Sequence, residues 1–242
     1  MNIAYYNDVD TVTRNNFTTQ RIEYPGGLQE FLSKWDASYE QEVQEIDLFN
    51  PTLVKQWTQE QAQYFVKVFY HSRGHFRDLL WYLGNFAPDK KAKDIILANI
   101  AEEFNGDSLS HEQLYLDYAK SMGVDLKTEF LDHKFYLKEM YDFNQAHLRW
   151  ASQHDWDHCF SAFSAYERLD TADYTLLANI QETEHKFFTI HRKAKHFEKT
   201  SEVLERIWKN NQEAVIKSFR FIAITQIKMW QDLSDAVFAG DQ

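Results

Sequence analysis

The chain has 242 residues and a formal net charge of −11, from 26 Lys and Arg against 37 Asp and Glu, and no basic stripe offsets that repulsion, so a nucleic-acid partner is excluded as an expectation. A single cysteine, Cys159, rules out an intrachain disulfide framework; no apolar run approaches the roughly 20 residues of a membrane span, and Met1 to Asp10 lacks the basic and apolar regions of a leader. The expectation is a soluble protein of a reducing cytoplasm with one domain, and the 44% hydrophobic and 16% aromatic content supplies a core of large side chains.

Only three prolines and seven glycines occur, the last proline being Pro88, which points to an all-α chain. Residues 1–26 are polar and without period, and are taken as an N-terminal arm; 27–242 form the single domain. Leu28, Phe31, Leu32 and Trp35 recur at helical spacing, Asn50-Pro51 has the form of an N-cap with proline at the first helical position, and Thr58-Gln59-Glu60-Gln61 has that of a capping box. The helix opened by that box is expected to run from Gln59 to about Asn85. It carries His71 and His75 at i, i+4, read as a partly exposed polar stripe, and Arg77, a candidate anchor for an anionic substrate group.

Helices are expected next at 89–104 and 109–122, flanking Glu103, Gly106 and His111. A carboxylate and an imidazole brought together across a glycine break are a donor set suited to iron, manganese or zinc. Another helix is expected from Lys127 to about Ser152. Asp155 then caps a segment whose Phe160, Phe163 and Tyr166 lead to Glu167, and Asp170 or Thr171 is read as the start of a new helix. Between Glu182 and Lys199, positions 191, 195 and 198 fall within about 40° of one another on one helical face. The competing reading there is an ExxH step, Glu182 to His185, without a second such step elsewhere. Ser201 to about Phe238 is apolar packing with a break expected near Asn210-Asn211.

Several segments together resemble the haem-oxygenase-like di-iron oxidases. They are Thr58-Gln59-Glu60-Gln61 through Phe69-Tyr70, Glu102-Glu103-Phe104-Asn105-Gly106 followed by His111, Ser121-Met122-Gly123-Val124, Tyr166-Glu167, and Phe187-Phe188-Thr189-Ile190-His191. The resemblance spans about residues 45–235. It implies a haem-oxygenase-like bundle of about seven core helices, the fold also of thiaminase-type TenA proteins and the pyrroloquinoline quinone synthase.

Carried over residue by residue, the resemblance puts metal ligands at Glu103, His111, Glu167 and His191. It places Lys195 where an Asp is expected, and Glu198, still able to ligate, where a His is expected. One more residue separates Gly106 from His111 than in the chlamydial members. The implied function is an iron-dependent, O2-using oxidoreductase holding one or two iron ions, without haem, that acts on a small metabolite, with cofactor biosynthesis as one setting. Tyr166 and Lys195 are candidate catalytic residues, Tyr70 and Arg77 candidate substrate contacts, and a homodimer is a generic expectation for such bundles. Two alternatives stay open: a metal-free enzyme of the same fold, with Cys159 as a candidate nucleophile, and a non-catalytic binding bundle whose metal centre has been lost.

Overall fold

The computed structural model describes residues 26–104, 109–193 and 196–240, and among these every regular element is helical. In chain order they are α1 (Leu28–Gln44), a 3-10 turn (Asp47–Phe49), α2 (Pro51–Val54), α3 (Gln59–Phe69), α4 (Phe76–Phe86), α5 (Lys90–Phe104), α6 (His111–Ser121), α7 (Glu129–Asp132), α8 (Lys138–Gln153), α9 (Trp156–Ile180), α10 (Lys186–Lys193), α11 (His196–Asn210) and α12 (Gln212–Ala239). The helix starts are set by side chains written in the sequence. Asn50 caps α2, Thr58 with Gln61 and Ser110 with Gln113 form capping boxes on α3 and α6, and Asp155 accepts from the His158 amide to cap α9.

The long helices α9 and α12 pack against one another at the centre, and both bury residues around most of their circumference. α1 lies on α12 along its apolar stripe: the Trp35 indole donates to the Phe219 carbonyl at 3.0 Å, and Phe31 and Trp35 meet the Phe219 ring edge-on. One polar knot sits inside this core. Asp173 of α9, 1% exposed, accepts from Tyr39 of α1 and from Gln226 and Trp230 of α12.

Four sequence expectations need correction. The helix expected over 59–85 is broken from Tyr70 to His75. The backbone freed there is taken up by Asn144 of α8, whose amide donates to the His71 carbonyl at 2.9 Å and whose Oδ1 accepts from the His75 amide. Asn144 can come this close because residue 74 is glycine: a Cβ there would stand 3.2 Å from its Nδ2. His71 and His75 are therefore buried, at 7% and 1% exposure, and not a partly exposed stripe.

The helix expected over 127–152 is instead the single turn α7 followed by α8, separated where His133 adopts a left-handed φ of 48°. No helix begins at Asp170 or Thr171, because α9 continues through them to Ile180. The run containing His191 and Glu198 is described as α10 up to Lys193 and α11 from His196, with 194 and 195 outside the described residues. The break expected near Asn210-Asn211 is found, with Asn211 capping α12.

Candidate functional site

A cavity of about 600 Å³ opens beside the Tyr70–His75 break, within the size range of small-molecule sites. At one end, Glu103 from the last turn of α5 and His111 from the first residue of α6 meet, with Oε1 to Nδ1 at 3.0 Å. The Ser110 capping box fixes where α6 begins and so where His111 points. The His191 ring, from α10, lies 4.8 Å from that of His111 and stacks on Tyr174 of α9 at 4.1 Å. Its Nδ1 is 2.7 Å from the Phe187 carbonyl and carries the proton, which leaves the lone pair on Nε2, the atom a metal takes. Burial works against a charged His111, but the hydrogen bond and charge of Glu103, with Asp170 and Glu102 behind it, outweigh that and raise its pKa.

Glu167 lies behind this cluster on α9. It is 4% exposed, and Asn99 is its hydrogen-bond donor at 3.1 Å. Burial first, then the charges of Asp170 and Glu103, push its carboxyl well above the usual carboxylate range, against a smaller opposing pull from Asn99 and Arg73. Asp170, one turn further along α9, is paired with Arg73 from the helix break. The guanidinium of Arg73 lies over the rings of Tyr166 and Tyr174, at 5.2 and 5.8 Å from their centres.

The opposite wall is built of imidazoles and amides. His71 Nε2 is 2.8 Å from Glu129, whose carboxylate also accepts from the Phe135 amide, so this pair holds the α7 segment against the cavity. His75 Nδ1 is 2.7 Å from Asn144 Oδ1, and its ring stacks on His147 at 4.4 Å. Tyr70 lines the cavity with its hydroxyl on Glu112; burial and that carboxylate raise its pKa. Arg77 lines the mouth and is exposed.

Of the residues singled out from sequence, Glu103, His111, His191, Tyr70 and Arg77 line this one cavity, and Glu167 lies behind it within the electrostatic reach of Glu103. Tyr166 is fully buried behind Arg73 and His75, its ring 5.5 Å from that of His75, and is not part of the lining. Glu198 is exposed and lines a second cavity with Arg168 and Arg192, apart from the others. Lys195 and Gly106 lie outside the described residues. Cys159 is fully buried, away from the lining, and burial pushes its thiol up to about 12.

Sequence reasoning passed over Asp170, Tyr174 and Asn144. Asp170 stands at i+3 from Glu167, a spacing that places both on one face once α9 is continued through it. Asn144 carries no local signal.

Two His and two carboxyl side chains in a partly closed site are a donor chemistry that fits iron, and the buried Glu167 carboxyl, whose ionisation its surroundings oppose, is the group a cation there would most favour. As placed, no three His, Cys, Asp or Glu side chains among the described residues stand at ligating geometry.

Residues 63–222 match the model of a family described as iron-containing redox enzymes. Among solved structures, the chain is similar to a CADD-like protein of unknown function from Nostoc punctiforme, with 16% identity, 87% of this chain and 97% of that one covered, and a TM-score of 0.67. It is also similar to a domain of unknown function with a heme oxygenase-like fold from Shewanella denitrificans, at 16% identity, 87% and 93% coverage and a TM-score of 0.68. Comparison with curated proteins gives no match. At this identity the neighbours establish the fold, and the family match over about two thirds of the chain establishes the rest: the chain belongs to the iron-containing redox enzymes built on the haem-oxygenase-like bundle.

Proposed function

We propose that the protein is an iron-dependent, O2-using oxidoreductase that oxidises a small metabolite held in the 600 Å³ cavity. The observation carrying this reading is the cluster at one end of the cavity, where Glu103, His111 and His191 converge in front of a buried Glu167 whose hydrogen-bond donor is the neutral Asn99. Those four residues would hold the metal. Glu198, which lines the other cavity, is left out of the set. Iron bound there supplies one-electron transfer and dioxygen chemistry that no protein side chain provides.

The chain's own residues do the rest. Phe187 fixes the tautomer of His191 through its carbonyl, and Glu103 orients the His111 ring. Asp170 is paired with Arg73 yet still presents negative charge to His111 and Glu167. Arg77 offers an exposed cation to an acidic group, and Tyr70, its proton held by Glu112, forms the wall between the mouth and the cluster.

Anaerobic loading with Fe(II), removal of loosely held ion and counting of iron per chain tests the reading. Wild type is expected to retain at least one iron and to take up O2 when air is admitted, and a His111→Ala, His191→Ala double variant to do neither. Equal retention in both proteins, or none in wild type, overturns it.

A further inference from the structure

The antiparallel pair α4 and α5 leaves large apolar side chains exposed along its outer side. The two helices touch where residue 84 is glycine: a Cβ there would stand 3.4 Å from Ile96 Cγ2, so Gly84 and Ile96 lie level with one another. At about 100° per residue Leu97 is turned out of this contact, and Lys93 and Phe104, four residues before it and seven after it, share its line. The rest of α5 is occupied. Asn99 faces inward to Glu167, and Lys91 and Glu102 pair with Glu202 and Lys199 of α11, so the line through Leu97 lies on the outer side next to α4. Trp81, three residues before Gly84, flanks that line from α4.

Trp81 is 51% exposed, Leu97 47% and Phe104 59%. With the exposed Ala98 and Ala101 between them they present roughly 300 Å² of apolar surface, most of the ~450 Å² found in a standard interface of ~800 Å² per partner. Charge selects the occupant. A chain at −11 repels its own copy over most of its surface, but between residues 77 and 100 the four basic side chains Arg77, Lys90, Lys91 and Lys93 stand with only three acidic ones, Asp78, Asp89 and Asp94. Lys93 and Asp78 are exposed, and neither has an ion-pair partner among the described residues.

The two unpaired charges are spaced for self-association. A two-fold axis crossing α5 near Leu97 and Ala98 lays that helix antiparallel on its copy and brings Lys93 of the partner subunit level with residue 102. The register of Gly84 on Ile96 puts Asp78 at that same level, so the pair forms twice. We propose that this face joins two copies of the chain, with Trp81, Leu97 and Phe104 packed across the axis and Lys93 of each subunit paired with Asp78 of the other. Asp78 and Phe104 also line the mouth of the cavity, so each subunit sets a lysine at the rim of the other's site. The pairing depends neither on iron nor on the reaction proposed for the cavity.

Sedimentation velocity of the full chain over a range of about 1 to 100 µM tests the proposal. Wild type is expected to be dimeric at about 10 µM and above. Leu97→Glu, which sets two carboxylates against one another at the axis, should raise the dissociation constant about 100-fold or more. Lys93→Asp alone should raise it about tenfold, and its combination with Asp78→Lys should return it to within about threefold of wild type, because the exchange restores both pairs. All three positions are exposed, and thermal melting establishes that each variant is folded before its mass is read.

A wild type that stays monomeric at about 100 µM overturns the proposal and leaves the face to a different partner. A dimer that survives Leu97→Glu, or that the charge exchange weakens further, overturns it by placing the interface elsewhere.

Discussion

Replacing Glu167 by glutamine should make the iron-free protein more stable and the iron-loaded protein less so. The carboxylate sits at 4% exposure with Asp170 and Glu103 raising the cost of its charge, and its hydrogen bond from Asn99 needs only an oxygen. The glutamine amide keeps that oxygen and the volume and has no ionisation to suppress on folding, which in a chain of this size raises Tm by about 2–4 °C for each ~1 kcal/mol recovered. The same change removes an anionic ligand and should weaken iron binding by about 100-fold or more. Calorimetric melting with and without Fe(II) reads both effects. The order of the two proteins should invert on adding metal; a variant that melts lower in both states would show that Glu167 serves the core through Asn99.

Asp173 carries the second large effect. Alanine there strands the Tyr39 hydroxyl, the Gln226 amide and the Trp230 indole in the core and should cost about 3–5 kcal/mol. Asparagine keeps an acceptor and isolates the charge. Burial, against the hydrogen bond from Trp230 and the charge of Arg73, raises the Asp173 carboxyl to about 6 in the folded protein.

A carboxyl whose pKa is raised on folding contributes stability that is full below its unfolded value near 4 and is lost as pH rises through the folded value, so the loss falls between about pH 4 and 6 and amounts to roughly 3 kcal/mol. Denaturant unfolding of wild type and Asp173→Asn across pH 4 to 8 should show the gap between them changing in that window and flat above it. A pH-independent gap would contradict the assignment.

The parts of this architecture that were legible in the sequence are those decided locally. Asn50, Thr58 and Asp155 cap the helices that their own segments announce, because a cap is a contact over two or three residues. Glu103 and His111 flank a glycine break that their own segment announces, whereas His191 was reached only through the resemblance.

What stayed hidden depends on distant partners. The break at Tyr70–His75 has Gly74 as its only local mark and is completed by Asn144, about seventy residues away. Asp170 reads locally as a cap, yet packing of α9 against α12 and α11 carries the helix straight through it. Glu198 lines the second cavity and His191 the first, a separation that helical spacing between the two positions does not reveal.

The most direct measurement of the central claim is an anomalous difference map at the iron edge from crystals of Fe(II)-loaded protein. The iron density is expected between Glu103, His111, Glu167 and His191. Iron retained elsewhere, above all against His71, Glu129 and His133 on the opposite wall, would contradict it.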